Sequence, residues 1–337
     1  MRRTLVFCLV ALSIICAAQT PCSAARLTVA GGGRQADDVK KTELEEAARL
    51  GQEVVKLFAE RKYSDALPLA ERSLALKEKH LGADNPALST SLYNLAALYQ
   101  ATNKPDKAEP LFVRALALYE KVPGVDTQAT ENALSSLGVM YYRRGKYEPA
   151  VANLERAVAL REKRLGAEHA ELAPMLANLG EAYVAVRKLD QAVRTLQRAI
   201  DIWTKDALAH TQEIERAHDR IACLSAFGGH LPPIVRPDLP AGSGRVIDFG
   251  VINGKAISKP QPAYPLAAKQ ARAQGPVVVK ILVDEQGRVV KAESICGHQL
   301  LTAAAEDAAR EARFTPTLFQ GQPVKVSGYI TYNFLLR

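Results

Sequence analysis

The chain has 337 residues, 48% of them hydrophobic and 24% charged, with a net charge of +8. That length exceeds what one core ordinarily supports and suits two domains, while the balance of apolar and charged residues excludes a disordered chain and a polytopic membrane protein. Lys and Arg alternate with Glu on helix faces and form no basic block, so the positive charge describes a solvated surface and excludes a nucleic-acid-binding class.

The first two dozen residues follow their own logic. Arg2 and Arg3 precede an apolar run from Leu5 to Ala18, and "QTPCSA" follows, with small residues at Cys22 and Ala24. This is the pattern of a secretory signal cleaved after Ala24. The run is shorter than the roughly 20 residues that a membrane span requires, so an uncleaved inner-membrane anchor is the alternative. The expectation is an exported, periplasmic protein. Cys8, Cys16 and Cys22 leave with the signal, and Cys223 and Cys296 remain. They read as two buried free thiols, with an interdomain disulfide as the alternative in an oxidising compartment.

From residue 42 onward the chain repeats. "KYSDALPLAERSLAL", "KPDKAEPLFVRALAL", "KYEPAVANLERAVAL" and "KLDQAVRTLQRAIDI" align Ala66, Ala108, Ala150 and Ala192 at a constant step of 42 residues. Lys62, Lys104, Lys146 and Lys188 keep the same step, as do Arg72, Arg114, Arg156 and Arg198. Each unit holds two stretches of helical periodicity joined by a short turn, such as Leu92, Leu95, Ala96, Tyr99 and then Ala108, Leu111, Phe112, Ala115 around Asn103 to Pro105. A strict period of this kind predicts stacked helix hairpins.

The internal spacing Leu137, Gly138, Tyr141, Ala150, Leu154, Ala157, repeated as Leu179, Gly180, Tyr183, Ala192, Leu196, Ala199, resembles the tetratricopeptide repeat. The long tails "KEKHLGADNP" and "REKRLGAEHA" lengthen the usual period of roughly 34 and resemble the kinesin-light-chain type, over residues 42–206. The first unit departs from the pattern, with Val54 and Leu57 in place of the Gly and Tyr, as terminal repeats do. A helix over 207–226 is expected to cap the array, giving an α-solenoid over 42–226. The resemblance implies a concave surface that binds peptides or proteins. Asn94, Ser136 and Asn178 hold equivalent positions on the inner helices and are the candidate ligand contacts, with hydrogen bonding inside the array as the competing role.

"LPPIVRPDLPAGSG" stops the helices and marks a linker over 227–255. Beyond it "PVVVKILVD" and "RVVKAESI" read as two strands joined by a hairpin at Asp284 to Arg288, followed by an alanine-rich helix and a closing strand alternating Val326, Gly328, Ile330, Tyr332 and Phe334. Residues 256–337 resemble the C-terminal domain of TonB, the energy transducer of Gram-negative bacteria. The resemblance rests on "QPAYPLAAKQ", "QGPVVVKILVDEQGRVV", "AAAEDAAREARFTPT" and "GQPVKV" in that order; Thr302 departs from it, standing where an Asp commonly precedes the alanines. The predicted architecture is therefore multidomain: an all-α solenoid followed by a small α+β domain of order β-β-α-β.

In that family an extended receptor segment, the TonB box, adds to an edge strand. Carried over, Val324, Val326, Gly328, Ile330 and Tyr332 lie on the candidate edge, and Gln261 is a candidate receptor contact. Tyr264 and Phe314 read as core residues. No cofactor or metal is expected. His210 and His218 with Glu213 and Glu215 read as surface residues, and Cys296-Gly297-His298 reads as a turn rather than a thiol site. The expected function is docking of protein or peptide partners, without catalysis; an anchored transducer serving outer-membrane receptors is the alternative.

Overall fold

The computed structural model describes residues 31–121, 127–228, 247–251, 256–319 and 321–336. The signal-like segment and most of the expected linker lie outside the described residues. The chain divides into two compact units, Met1–Val186 and Arg187–Arg337.

In the first unit, α1 (Gly31–Ala59) pairs with α2 (Tyr63–Leu81), α3 (Ser89–Ala101) with α4 (Pro105–Glu120), and α5 (Thr127–Arg143) with α6 (Tyr147–Leu165), and α7 (Leu172–Ala185) follows. The first helix starts upstream of the expected residue 42. The turn inside each repeat has one construction. Arg61, Asn103, Gly145 and Arg187 all adopt positive φ, at 59°, 58°, 75° and 60°. After the first three, the N–H groups of Lys62, Lys104 and Lys146 bond back to the carbonyls of Leu57, Tyr99 and Tyr141 at 2.9, 2.7 and 2.9 Å. This closure satisfies a carbonyl that the helix end leaves open.

Small residues set the spacing of the hairpins. Ala66, Ala108 and Ala150 are fully buried, and a Cβ placed on Gly138 would lie 2.6 Å from Leu154 Cγ. Ser73 stands where later repeats carry alanine, and its hydroxyl donates to the Ala47 carbonyl at 2.7 Å. The repeated arginines tie each second helix to an earlier helix: Arg72 to Glu46 at 2.6 Å, Arg114 to Glu78 at 2.5 Å and Arg156 to Glu120 at 2.5 Å. Such exposed pairs contribute about 0.5 kcal/mol each.

The second unit begins with α8 (Leu189–Trp203), packed on α9 (Thr211–Ala226). Next come β1 (Ile247–Val251), β2 (Ala256–Ser258), α10 (Leu266–Gln270), β3 (Gly275–Val283) and β4 (Val289–Cys296). They are followed by α11 (Gln299–Glu311), β5 (Arg313–Phe314), β6 (Leu318–Phe319), β7 (Gln322–Pro323) and β8 (Val326–Phe334). The main sheet runs β1-β8-β3-β4, and β2–β5 and β6–β7 form small ribbons. The expected β-β-α-β core is therefore present, with short strands added around it.

Alternation along β3 and β8 divides the sheet into two buried faces. Val277, Val279, Ile281, Val283, Val326, Ile330, Tyr332 and Phe334 pack with Leu301, Ala305 and Ala309 of α11. Val278 and Tyr329 face the other way, against Ala222 of α9. At the β3–β4 turn, Asp284 Oδ1 accepts from the N–H groups of Gln286 and Arg288 at 3.0 and 2.8 Å. Gly287 there has φ 78°, and a Cβ on it would fall 1.9 Å from the Phe314 carbonyl oxygen, so glycine is required.

Candidate partner-binding surfaces

The first candidate surface is the row on the inner helices. Asn94 on α3 and Ser136 on α5 are half-buried, and Asn178 on α7 is buried. The Ser136 hydroxyl meets Tyr93 Oη at 3.5 Å, which ties that member of the row to α3. Burial pushes the Tyr93 hydroxyl up to about 12, against the opposing effect of the Ser136 bond, and its ring stands edge-on to Phe112 at 5.5 Å. Neither the Asn94 nor the Asn178 amide has a hydrogen-bond partner among the described residues. The row thus splits: Ser136 is bonded within the array, and the two amides are not.

A charged cluster that the repeat pattern did not reveal lies between α5 and α6. Glu131 is fully buried and bonds Arg161 Nε at 3.1 Å and both Arg164 Nε and Nη2 at 3.0 and 2.8 Å. Arg161 Nη2 also donates to Asn132 Oδ1 at 2.9 Å. In the preceding repeat the positions of Arg161 and Asn132 are held by Tyr119 and Thr90, whose hydroxyls meet at 3.5 Å. One bridging position therefore carries different chemistry in successive repeats, and only the departure from the repeat consensus signals it.

The second candidate surface is the sheet edge. Sequence reasoning placed β8 there, and over Val326–Tyr329 the structure corrects that. Parallel β1 pairs with it, Ile247 opposite Val326, Asp248 opposite Ser327 and Val251 opposite Tyr329. The strand comes from within the expected linker, where proline and glycine signals masked a five-residue apolar alternation. On its other side β8 pairs with β3. Val324 lies just before β8, half-buried against the core shared with α11; Val326, Gly328, Ile330 and Tyr332 are buried within the strand. Gln261 is exposed, in the extended approach to α10. Tyr264 packs edge-on to Phe334 at 5.5 Å and donates to the Ala273 carbonyl, the core role expected of it.

The cysteines require a second correction. Cys223 on α9 and Cys296 at the end of β4 form a disulfide, with Cα atoms 6.1 Å apart, in place of the two free thiols that were expected. The helix that was expected to cap the solenoid packs on the back of the sheet. Beside the bridge, Tyr329 Oη donates to Asp219 Oδ1 at 2.8 Å and Lys280 Nζ pairs with the same oxygen at 3.1 Å. His218 is buried on α9, not on the surface, and the His210 ring lies 6.3 Å from that of Trp203. His298 caps α11 by accepting from the Leu300 N–H at 3.2 Å. Among the described residues no three His, Cys, Asp or Glu side chains gather at metal-binding distance.

Comparison with known proteins agrees with these two parts. The tetratricopeptide repeat family matches residues 55–121 and 129–205, and the family described as the C-terminal of the Gram-negative bacterial TonB protein matches residues 260–336. Among solved structures, the kinesin-light-chain TPR-like repeats of Podosopora anserina are 24% identical, covering 55% of this chain and 84% of theirs at a TM-score of 0.42. BtubC (BKLC) of P. vanneervenii is 18% identical, covering 60% of this chain and 98% of its own at 0.36. Pseudomonas aeruginosa pilF is 17% identical, covering 57% and 80% at 0.38. No curated protein matches. Both matched families are interaction or transducer domains, without catalytic machinery of their own. The chain thus joins a segment that matches the tetratricopeptide repeat family to one that matches the TonB C-terminal domain.

Proposed function

We propose that this is an exported docking protein of the Gram-negative periplasm. The repeat row with Asn94 and Asn178 receives one protein or peptide partner, and the side of β8 that β1 covers over Val326–Tyr329 receives an extended segment, such as the TonB box of an outer-membrane receptor. The observation that carries the reading is the parallel pairing of β1 with β8, since an edge that holds one extended strand has the geometry for β-augmentation. Export is supported by the Arg2-Arg3 and Leu5 to Ala18 pattern and by the Cys223–Cys296 bridge, which suits an oxidising compartment.

The test combines location with binding. The full-length chain is expressed in a Gram-negative host, fractionated, weighed intact and titrated with a synthetic TonB-box peptide. A soluble periplasmic species starting near Ala25 that binds the peptide, with cross-links to β8, supports the reading. A membrane-bound species retaining Met1 to Ala24 moves the assignment to an anchored transducer. Absence of any β8 cross-link rejects the docking edge.

A further inference from the structure

The β8 edge is already in use by the chain itself, and the two ladders that flank β8 differ in quality. Toward β3 the register runs without a shift from Gly275 opposite Phe334 to Val283 opposite Val326. Toward β1 it covers only Val326 to Tyr329, and it slips between Asp248 and Val251, so that three steps along β1 match two along β8. Gly250 lies inside that slip, and a glycine within an irregular strand weakens the pairing further. Short parallel pairing is in any case less stable per residue than antiparallel pairing. A second intramolecular group acts farther along the strand. Lys259 Nζ donates to the Thr331 carbonyl at 2.9 Å and sits 4.9 Å from the centre of the Tyr332 ring. An ammonium there supplies a hydrogen bond of the kind that a neighbouring strand's N–H would supply.

We infer that Ile247–Val251, assisted by Lys259, is an intramolecular stand-in for the partner strand, and that an extended partner running parallel to β8 binds only as this segment is released. The inference rests on the docking reading of the β8 edge and adds to it a built-in competitor. The strand shields an edge that would otherwise template unwanted pairing. Its short, slipped ladder makes it replaceable by a segment with a continuous register. If the segment is docked about nine-tenths of the time, the affinity seen by a competing strand falls about tenfold.

The test uses the full-length chain and, as probe, an N-acetylated synthetic peptide of residues 247–251, the segment that pairs with this side of β8. A scrambled peptide is the control. The double variant Ile247→Pro/Val251→Pro removes two ladder N–H groups from the chain's own strand. The expected result is binding of the probe at least about tenfold tighter to the variant than to the unaltered chain. Equal or weaker binding to the variant leaves the docking edge standing and overturns the competitor. No binding to either protein overturns both. Hydrogen exchange on the unaltered chain gives a reading independent of the variant's folding. At saturating probe, exchange at 247–251 should rise while 326–329 stays protected, and unchanged exchange at 247–251 with probe bound to β8 overturns the displacement.

Discussion

Gly138 shows how one missing methyl group sets the distance between two helices. Its Cα lies where α5 meets α6, and an added Cβ would come within 2.6 Å of Leu154 Cγ and 3.2 Å of the Ala150 carbonyl oxygen. Two effects oppose each other in Gly138→Ala: helix propensity favours alanine by about 1 kcal/mol, while overpacking a filled interface costs about 1–3 kcal/mol. Leu154 is buried, and the atom that is met is its branching carbon rather than a free end, so overpacking wins. Urea denaturation should show a net loss of up to about 2 kcal/mol with an unchanged m-value. A midpoint equal to or above that of the parent protein would mean that the leucine turns aside without cost. The Leu, Gly, Tyr spacing pointed to this close crossing from sequence alone, because close approach is a property of residue size. The left-handed turns at Arg61 and Arg187 were not legible, because arginine carries no such preference and the repeat geometry imposes the conformation.

At the scale of elements, the β3–β4 hairpin is held by a carboxylate. Burial alone would raise the Asp284 carboxyl, but the backbone N–H and guanidinium of Arg288 and the backbone N–H of Gln286 outweigh it and hold the group below its ordinary 3.8. A group lowered in the folded state adds stability that is full above its unfolded value and is lost as pH falls through its folded value. The contribution is therefore present at neutral pH and disappears on acidification below 3.8. Between about pH 5 and about pH 3, the fall in stability should be steeper for the parent than for Asp284→Asn, measured by urea midpoints. Equal slopes in the two proteins would remove Asp284 as the source. The hairpin itself was readable from the turn signal between two β-branched runs. The outer strand β1 was not, because five residues between proline- and glycine-rich flanks carry too few alternations to separate a strand from a linker. The candidate edge was thus identified by position but assigned as open. The register of the inner row was legible because the period places Asn94, Ser136 and Asn178 at equivalent positions, and the bond from Ser136 to Tyr93 was not.

At the scale of the whole molecule, the repeat pattern and the compact units do not share a boundary. The fourth repeat carries on in sequence through α8, while α8 and α9 belong to the compact unit that contains the sheet. Sequence similarity follows the repeat, and compactness follows what α9 packs against: Val278 and Tyr329 on the back of the sheet, the Asp219 hydrogen bonds, and the bridge from Cys223 to Cys296. Pairing of two cysteines 73 residues apart was only the alternative reading of the sequence, since spacing alone does not reveal which surfaces meet. The consequence is measurable. Closing a loop of 73 residues restricts the unfolded chain by about 4 kcal/mol at most, and typical bridges contribute about 2–4 kcal/mol. The full-length protein should therefore melt at a lower temperature in reductant, and the Cys223→Ser/Cys296→Ser variant should match the reduced parent and be insensitive to reductant. A parent whose melting is the same oxidised and reduced would show that the noncovalent contacts of α9, among them the apolar contact and the Asp219 hydrogen bonds, hold it without help from the bridge.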